Sequence, residues 1–116
     1  MQNDKLFSMP FSKVFPLLIA KAERKGRTRA EVYEIASWLT GYTLSDLDYL
    51  LESDIAYGAF FTQAPCPNAN RHLIKGSVCG VKIETIDDPL MREIRMLDKL
   101  IDELAKGKPM NKILRS

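Results

Sequence analysis

Long apolar runs, cysteine and histidine are what this sequence has least of. Its 116 residues include two cysteines, one histidine and one tryptophan. The longest clean apolar run near the start, Val14 to Ala20, is interrupted by Pro16 and falls far short of the ~18 to 20 residues that a membrane span needs. Met1-Gln2-Asn3-Asp4-Lys5 shows no basic region ahead of an apolar stretch, so no secretory signal is read and the cytoplasm is the expected compartment. In that compartment Cys66 and Cys79 are expected to stay reduced. A dominant charge sign is missing too, since 17 Lys+Arg stand against 15 Asp+Glu. No P-loop, G-x-G-x-x-G, H-E-x-x-H or G-x-S-x-G pattern occurs, which removes the commonest phosphate-binding, metalloprotease and serine-hydrolase signatures.

What remains is a globular composition, 46% apolar and 28% charged. A chain of this length hides roughly two thirds of its unfolded surface in a body of about 13 Å radius of gyration, with no need of disulfides or metals. We expect one domain over residues 1–116, with residues 1–8 a loosely ordered arm. Its class is mainly α, a compact bundle of four to five helices with at most one short β-like segment near residues 78–86.

The helices are read from punctuation and period. Ser12 is placed as the cap of a first helix with Phe15, Leu18, Ile19 and Ala22 inward, and Pro16 is tolerated there as a first-turn residue. Thr28-Arg29-Ala30-Glu31 reads as a capping box ahead of Val32, Ile35, Ala36 and Leu39. Gly41 stops that helix. Thr43 or Ser45 starts a third, with Leu44, Leu47, Leu50 and Leu51 inward and Asp46, Asp48 and Glu52 outward. Ile55 to Thr62 is assigned to a short helix. Gln63 to Asn70 is a loop, because Pro65 and Pro67 hold the residues before them extended and Asn68 and Asn70 suit turns. Val78 to Ile86 alternates like a strand but shows no partner. Asp88 as cap and Pro89 at the first helical position open the clearest element, with Leu90, Ile94, Leu97, Ile101 and Leu104 on one face and Gly107 as its stop. Asp88 with Arg92 and Asp102 with Lys106 are four-residue acid-to-base pairs along it. Pro109 begins a final turn carrying Ile113 and Leu114.

Trp38-Leu39-Thr40-Gly41-Tyr42, Phe60-Phe61 followed by Gln63-Ala64-Pro65, Cys79-Gly80-Val81, and above all Asp88-Pro89-Leu90-Met91 with Leu97-Asp98-Lys99-Leu100-Ile101-Asp102-Glu103-Leu104 resemble a bacterial domain-of-unknown-function family, family 2200. The resemblance runs from about Met9 to Arg115. It implies a small, mainly helical bacterial domain, and it implies no reaction, cofactor, ligand or catalytic residue. Asn68-Ala69-Asn70 stands where that family's pattern has Asn-Pro-Asn, and Cys66 is also a departure, which argues against a rigid reactive loop.

Charge is polarised along the chain. Residues 1–29 hold seven bases against two acids, and residues 30–70 hold six acids and no Lys or Arg. Such halves suit a nucleic-acid face, pairing inside the fold, or a homodimer that matches one region to the other. The second and third helices, hinged at Gly41, have a helix-turn-helix outline, but Asp46, Asp48, Glu52 and Asp54 would face phosphates. Nonspecific phosphate contact is instead assigned to Lys21, Arg24, Lys25, Arg27 and Arg29. Cys66, His72 and Cys79 form a C-x5-H-x6-C pattern without the paired spacing of structural zinc, so no metal is expected. Cys79, in an apolar run, reads as a buried inert thiol. Asp87-Asp88 and Asp102-Glu103 point apart on a helix and make no acid/base pair.

The best functional expectation is a non-catalytic binding or interaction protein, without cofactor or membrane. Its alternatives are a nonspecific nucleic-acid binder through the 21–29 cluster, and a small-molecule binder or enzyme through Gln63, Asn68, Asn70, Arg71 and His72. The Leu90-to-Leu104 stripe is read as packing on the chain's own helices, with a second copy as the alternative partner.

Overall fold

Two threonines and an aspartate set the main helix starts in the computed structural model, which describes residues 2–78 and 80–115. Thr28 Oγ1 accepts the Glu31 amide at 3.2 Å while the Glu31 carboxylate accepts the Thr28 amide at 2.9 Å, completing the expected capping box. Thr43 repeats this with Asp46, so the third predicted helix starts from Thr43 and not from Ser45. Asp88 Oδ1 accepts the amides of Leu90 and Met91 ahead of Pro89, as the Asp-Pro start predicts.

In chain order the α-helices are α1 (Gln2–Ser8), α2 (Phe11–Arg24), α3 (Arg29–Thr40), α4 (Leu44–Leu51), α5 (Tyr57–Thr62), α6 (Pro89–Ala105) and α7 (Met110–Ile113). The expected bundle corresponds to α2 through α6. Three local expectations are corrected. Residues 2–8, expected as a loose arm, are helical, and Leu6 and Phe7 pack against the core. Ser12 does not cap α2; the helix begins after Pro10 with no side-chain cap, so Pro16 lies at its sixth position, on the exposed side. Leu44, expected inward, is 54% exposed, because it opens a short helix in which Leu47 alone is fully buried.

The β-like segment finds its partner in itself. β1 (Ser77–Val78) pairs antiparallel with β2 (Val81–Lys82), placing Ser77 opposite Lys82. A helical turn, Ile83–Thr85, then leads to α6.

α6 is the axis of the molecule. It packs on α2, α3 and α5 and carries β1, the 83–85 turn and α7 on its remaining sides. Ile94, Leu97, Ile101 and Leu104 are all buried, so the apolar stripe is consumed within one chain. Beside it, Phe60 stacks on Phe11 with ring centroids 4.3 Å apart and on Tyr42 at 4.8 Å, and meets Phe61 edge-on at 5.1 Å. Each such pair adds about 0.5 to 1.5 kcal/mol beyond area burial, which fixes α2, the α3–α4 junction and α5 against one another. No helix among the described residues is long and apolar enough to cross a membrane.

The Tyr57 hydroxyl is the odd member of this core. The residue is 1% exposed, and its oxygen has no hydrogen-bond partner among the described residues. Burial pushes its pKa well above the ordinary value, and the charge of Asp98 pushes the same way. Tyr57→Phe removes a desolvated polar group and keeps the ring, so stability in urea should hold or rise by about 1 kcal/mol. A loss of that size would show that the hydroxyl has a partner.

Candidate functional site

The loop after α5 is built onto the end of α3. The amides of Cys66 and Asn68 donate to the Thr40 and Leu39 carbonyls, both at 3.1 Å, taking up acceptors that the helix end leaves open. Gly41, at φ +85°, makes this approach feasible; a Cβ there would sit 2.7 Å from the Cβ and the carbonyl oxygen of Cys66. Asn68 Oδ1 then accepts the Asn70 amide at 2.8 Å and starts the helical turn Ala69–Leu73.

That turn presents two side chains in fixed poses. Arg71 Nη1 donates to the Asn68 carbonyl at 2.8 Å. His72 Nδ1 lies 2.6 Å from the Ala69 carbonyl. Since a carbonyl can only accept, Nδ1 carries a hydrogen in this contact, which leaves Nε2 pointing away from the backbone bond. Opposite them stands the start of α6. Arg92 donates from Nε to the Ile86 carbonyl at 2.9 Å and from Nη2 to the same oxygen. The expected Asp88–Arg92 pair gives way to this contact, because Asp88 is already engaged as the cap. Glu93 is half-buried, and desolvation raises its carboxyl pKa above the usual range although the Arg71 charge works against the shift. Its Oε2 lies 3.9 Å from Arg71 Nε.

Between turn and helix is a hollow of about 320 Å³. Arg71 and His72 line it from one side and Arg92 and Glu93 from the other, with Ala69, Pro89 and Met96 as its apolar surface. The five residues assigned from sequence are therefore divided. Arg71 and His72 meet in the cleft. Asn68 is spent on the turn, and the Asn70 amide is tied to it. Gln63 lines a separate hollow of about 230 Å³ with Tyr42, Asp46, Tyr49, Leu50 and Pro65. Arg92 and Glu93 escape sequence reasoning because pairing by helical spacing assigns Arg92 to Asp88 and says nothing about what crosses from the turn.

The basic cluster is divided: Lys21 and Arg27 are half-buried and engaged within the fold, whereas Arg24, Lys25 and Arg29 are exposed. Arg27 chelates Glu31 with contacts of 3.2 and 2.7 Å and donates to the Leu104 and Lys108 carbonyls at 3.2 and 2.8 Å. Lys21 pairs with Asp102 at 3.4 Å. Arg29 lies over the Tyr33 ring and 3.8 Å from Asp48, so the basic and acidic halves meet within one molecule. Cys66 is an exposed free thiol. Cys79, and with it the C-x5-H-x6-C pattern, lies outside the described residues.

Comparison with known proteins adds a lineage to this geometry. The family described as "Uncharacterized protein conserved in bacteria (DUF2200)" matches residues 5–115. The chain is also similar to a solved structure described as "Crystal structure of uncharacterized protein SP1917". That likeness has 54% identity and a TM-score of 0.92, covering 95% of this chain and 90% of that one. Among curated proteins nothing matches.

Proposed function

We propose that the chain, which belongs to the bacterial family DUF2200, is a non-catalytic binding protein of the bacterial cytoplasm that holds a small acid in the cleft between the 69–73 turn and α6. One observation carries this reading. Two guanidiniums, each anchored through a backbone carbonyl, flank one hollow and keep further N–H donors free of those anchors. Arginines positioned in this way recognise carboxylate or phosphate by charge-assisted hydrogen bonds. Among the described residues that line the hollow, His72 and Glu93 are the only ones of a nucleophilic type, with no serine, threonine, cysteine, lysine or tyrosine beside them.

Calorimetric titration with acetate, succinate and inorganic phosphate tests the reading. At least one should saturate a single site, and combining Arg71→Ala with Arg92→Ala should weaken it roughly tenfold to a hundredfold, the worth of a charged hydrogen bond. Saturation by none of these acids, or equal affinity in the double variant, would overturn it.

A further inference from the structure

Glu93 is the group that a plain acid leaves unexplained. Its side chain is 22% exposed, yet no donor among the described residues reaches its carboxylate within hydrogen-bond distance, Arg71 Nε staying 3.9 Å away. Half-buried, the carboxylate meets the Arg71 charge only at the edge of ion-pair range, and as part of the cleft lining it keeps acceptor capacity for a ligand's donor. Desolvation registers in its raised pKa. A dicarboxylate or phosphate would satisfy the arginines and set negative charge against Glu93. A ligand that carries an acid and a cation would answer both sides of the cleft at once.

Resting on the cleft as a binding site, we propose that its ligand is amphoteric, of the α-amino acid class. The carboxylate lies between Arg71 and Arg92, and the ammonium donates to Glu93. With Nδ1 donating to the Ala69 carbonyl, an uncharged His72 offers Nε2 as a second receiver for an ammonium hydrogen. The hollow of about 320 Å³ has room for a free amino acid. Met96, Pro89 and Ala69 supply an apolar surface for a short aliphatic side chain.

The test compares L-alanine, L-valine and L-leucine with their des-amino counterparts, propionate, isovalerate and 4-methylvalerate, by calorimetric titration. At least one amino acid should bind about tenfold to a hundredfold tighter than its counterpart. Glu93→Gln should bring the amino acid down to the affinity of the des-amino acid and leave the latter unchanged or tighter. Equal binding of both compounds to the unaltered protein would overturn the amphoteric class while the cleft remains an acid site. Binding of neither would overturn this proposal, with the acetate, succinate and phosphate titrations of the unaltered protein deciding whether the acid site falls too. A preference that survives Glu93→Gln and Glu93→Ala in folded protein would place the ammonium elsewhere and overturn the assignment to Glu93.

Discussion

Gly41→Ala is expected to cost the fold about 2 to 5 kcal/mol, the sum of roughly 1 to 2 for holding a side chain in left-handed backbone and about 1 to 3 for overpacking. The overpacking is severe because the obstacle is backbone. The new Cβ would meet the carbonyl oxygen and amide nitrogen of Cys66 at 2.7 and 2.8 Å, and neither can rotate aside as a side chain could. Gly26 provides the control, having φ +82° and nothing within 4 Å of the place a Cβ would take. Gly26→Ala should show the left-handed penalty alone, about 1 to 2 kcal/mol. Urea denaturation of both variants checks the difference, and equal losses would mean that the loop yields without cost. Gly41→Ala has a second expected consequence. Its clash acts on the segment that carries Asn68 and Arg71, so acid binding should weaken in whatever fraction stays folded.

This coupling also marks where the sequence is legible and where it is not. Gly41 is readable as a helix stop, since glycine at that position accepts positive φ. That its missing side chain makes room for Cys66, twenty-five residues later, is a tertiary fact that no local pattern encodes. The capping box at Thr28 and the Asp88-Pro89 start are chemistry between residues two or three apart, and both emerge as expected. Pro16 shows the opposite case. Local rules place a helical proline in the first turn, but burial of Phe11 and Phe15 extends α2 back to Phe11 and leaves the proline in its interior. In the candidate site, Arg71 and His72 are legible as rare polar types beside a turn. Arg92 and Glu93 are hidden in a helix whose charges sequence spacing explains by neighbours on the same helix, whereas the fold uses them across the cleft and toward Ile86.

Arg27 and Glu31 give the second large effect, expected to appear as a pH dependence. Arg27 belongs by composition to a basic cluster suited to phosphates, but the structure spends it on four contacts that join the α2–α3 turn to the end of α6. Hydrogen bonds from Arg27, and then from the Thr28 amide, hold the Glu31 carboxyl at about 2 against an ordinary 4.5. As pH falls, the unfolded chain protonates this group near 4.5 while the folded chain keeps it ionised to about 2. The stabilisation is therefore complete above 4.5 and lost between there and 2. Allowing for screening of a partly exposed pair, Glu31→Gln should cost about 2 kcal/mol at neutral pH, and more than half of that deficit should vanish by about pH 3. Arg27→Met should cost about 2 to 4 kcal/mol, because it leaves Glu31 without its cation and removes the guanidinium bonds to the Leu104 and Lys108 carbonyls, of which Leu104 keeps the Gly107 amide. Denaturant midpoints measured from pH 7 down to pH 3 decide the matter. A Glu31→Gln deficit that stays constant over that range would mean that the carboxylate stabilises through shape and capping, with its charge contributing nothing.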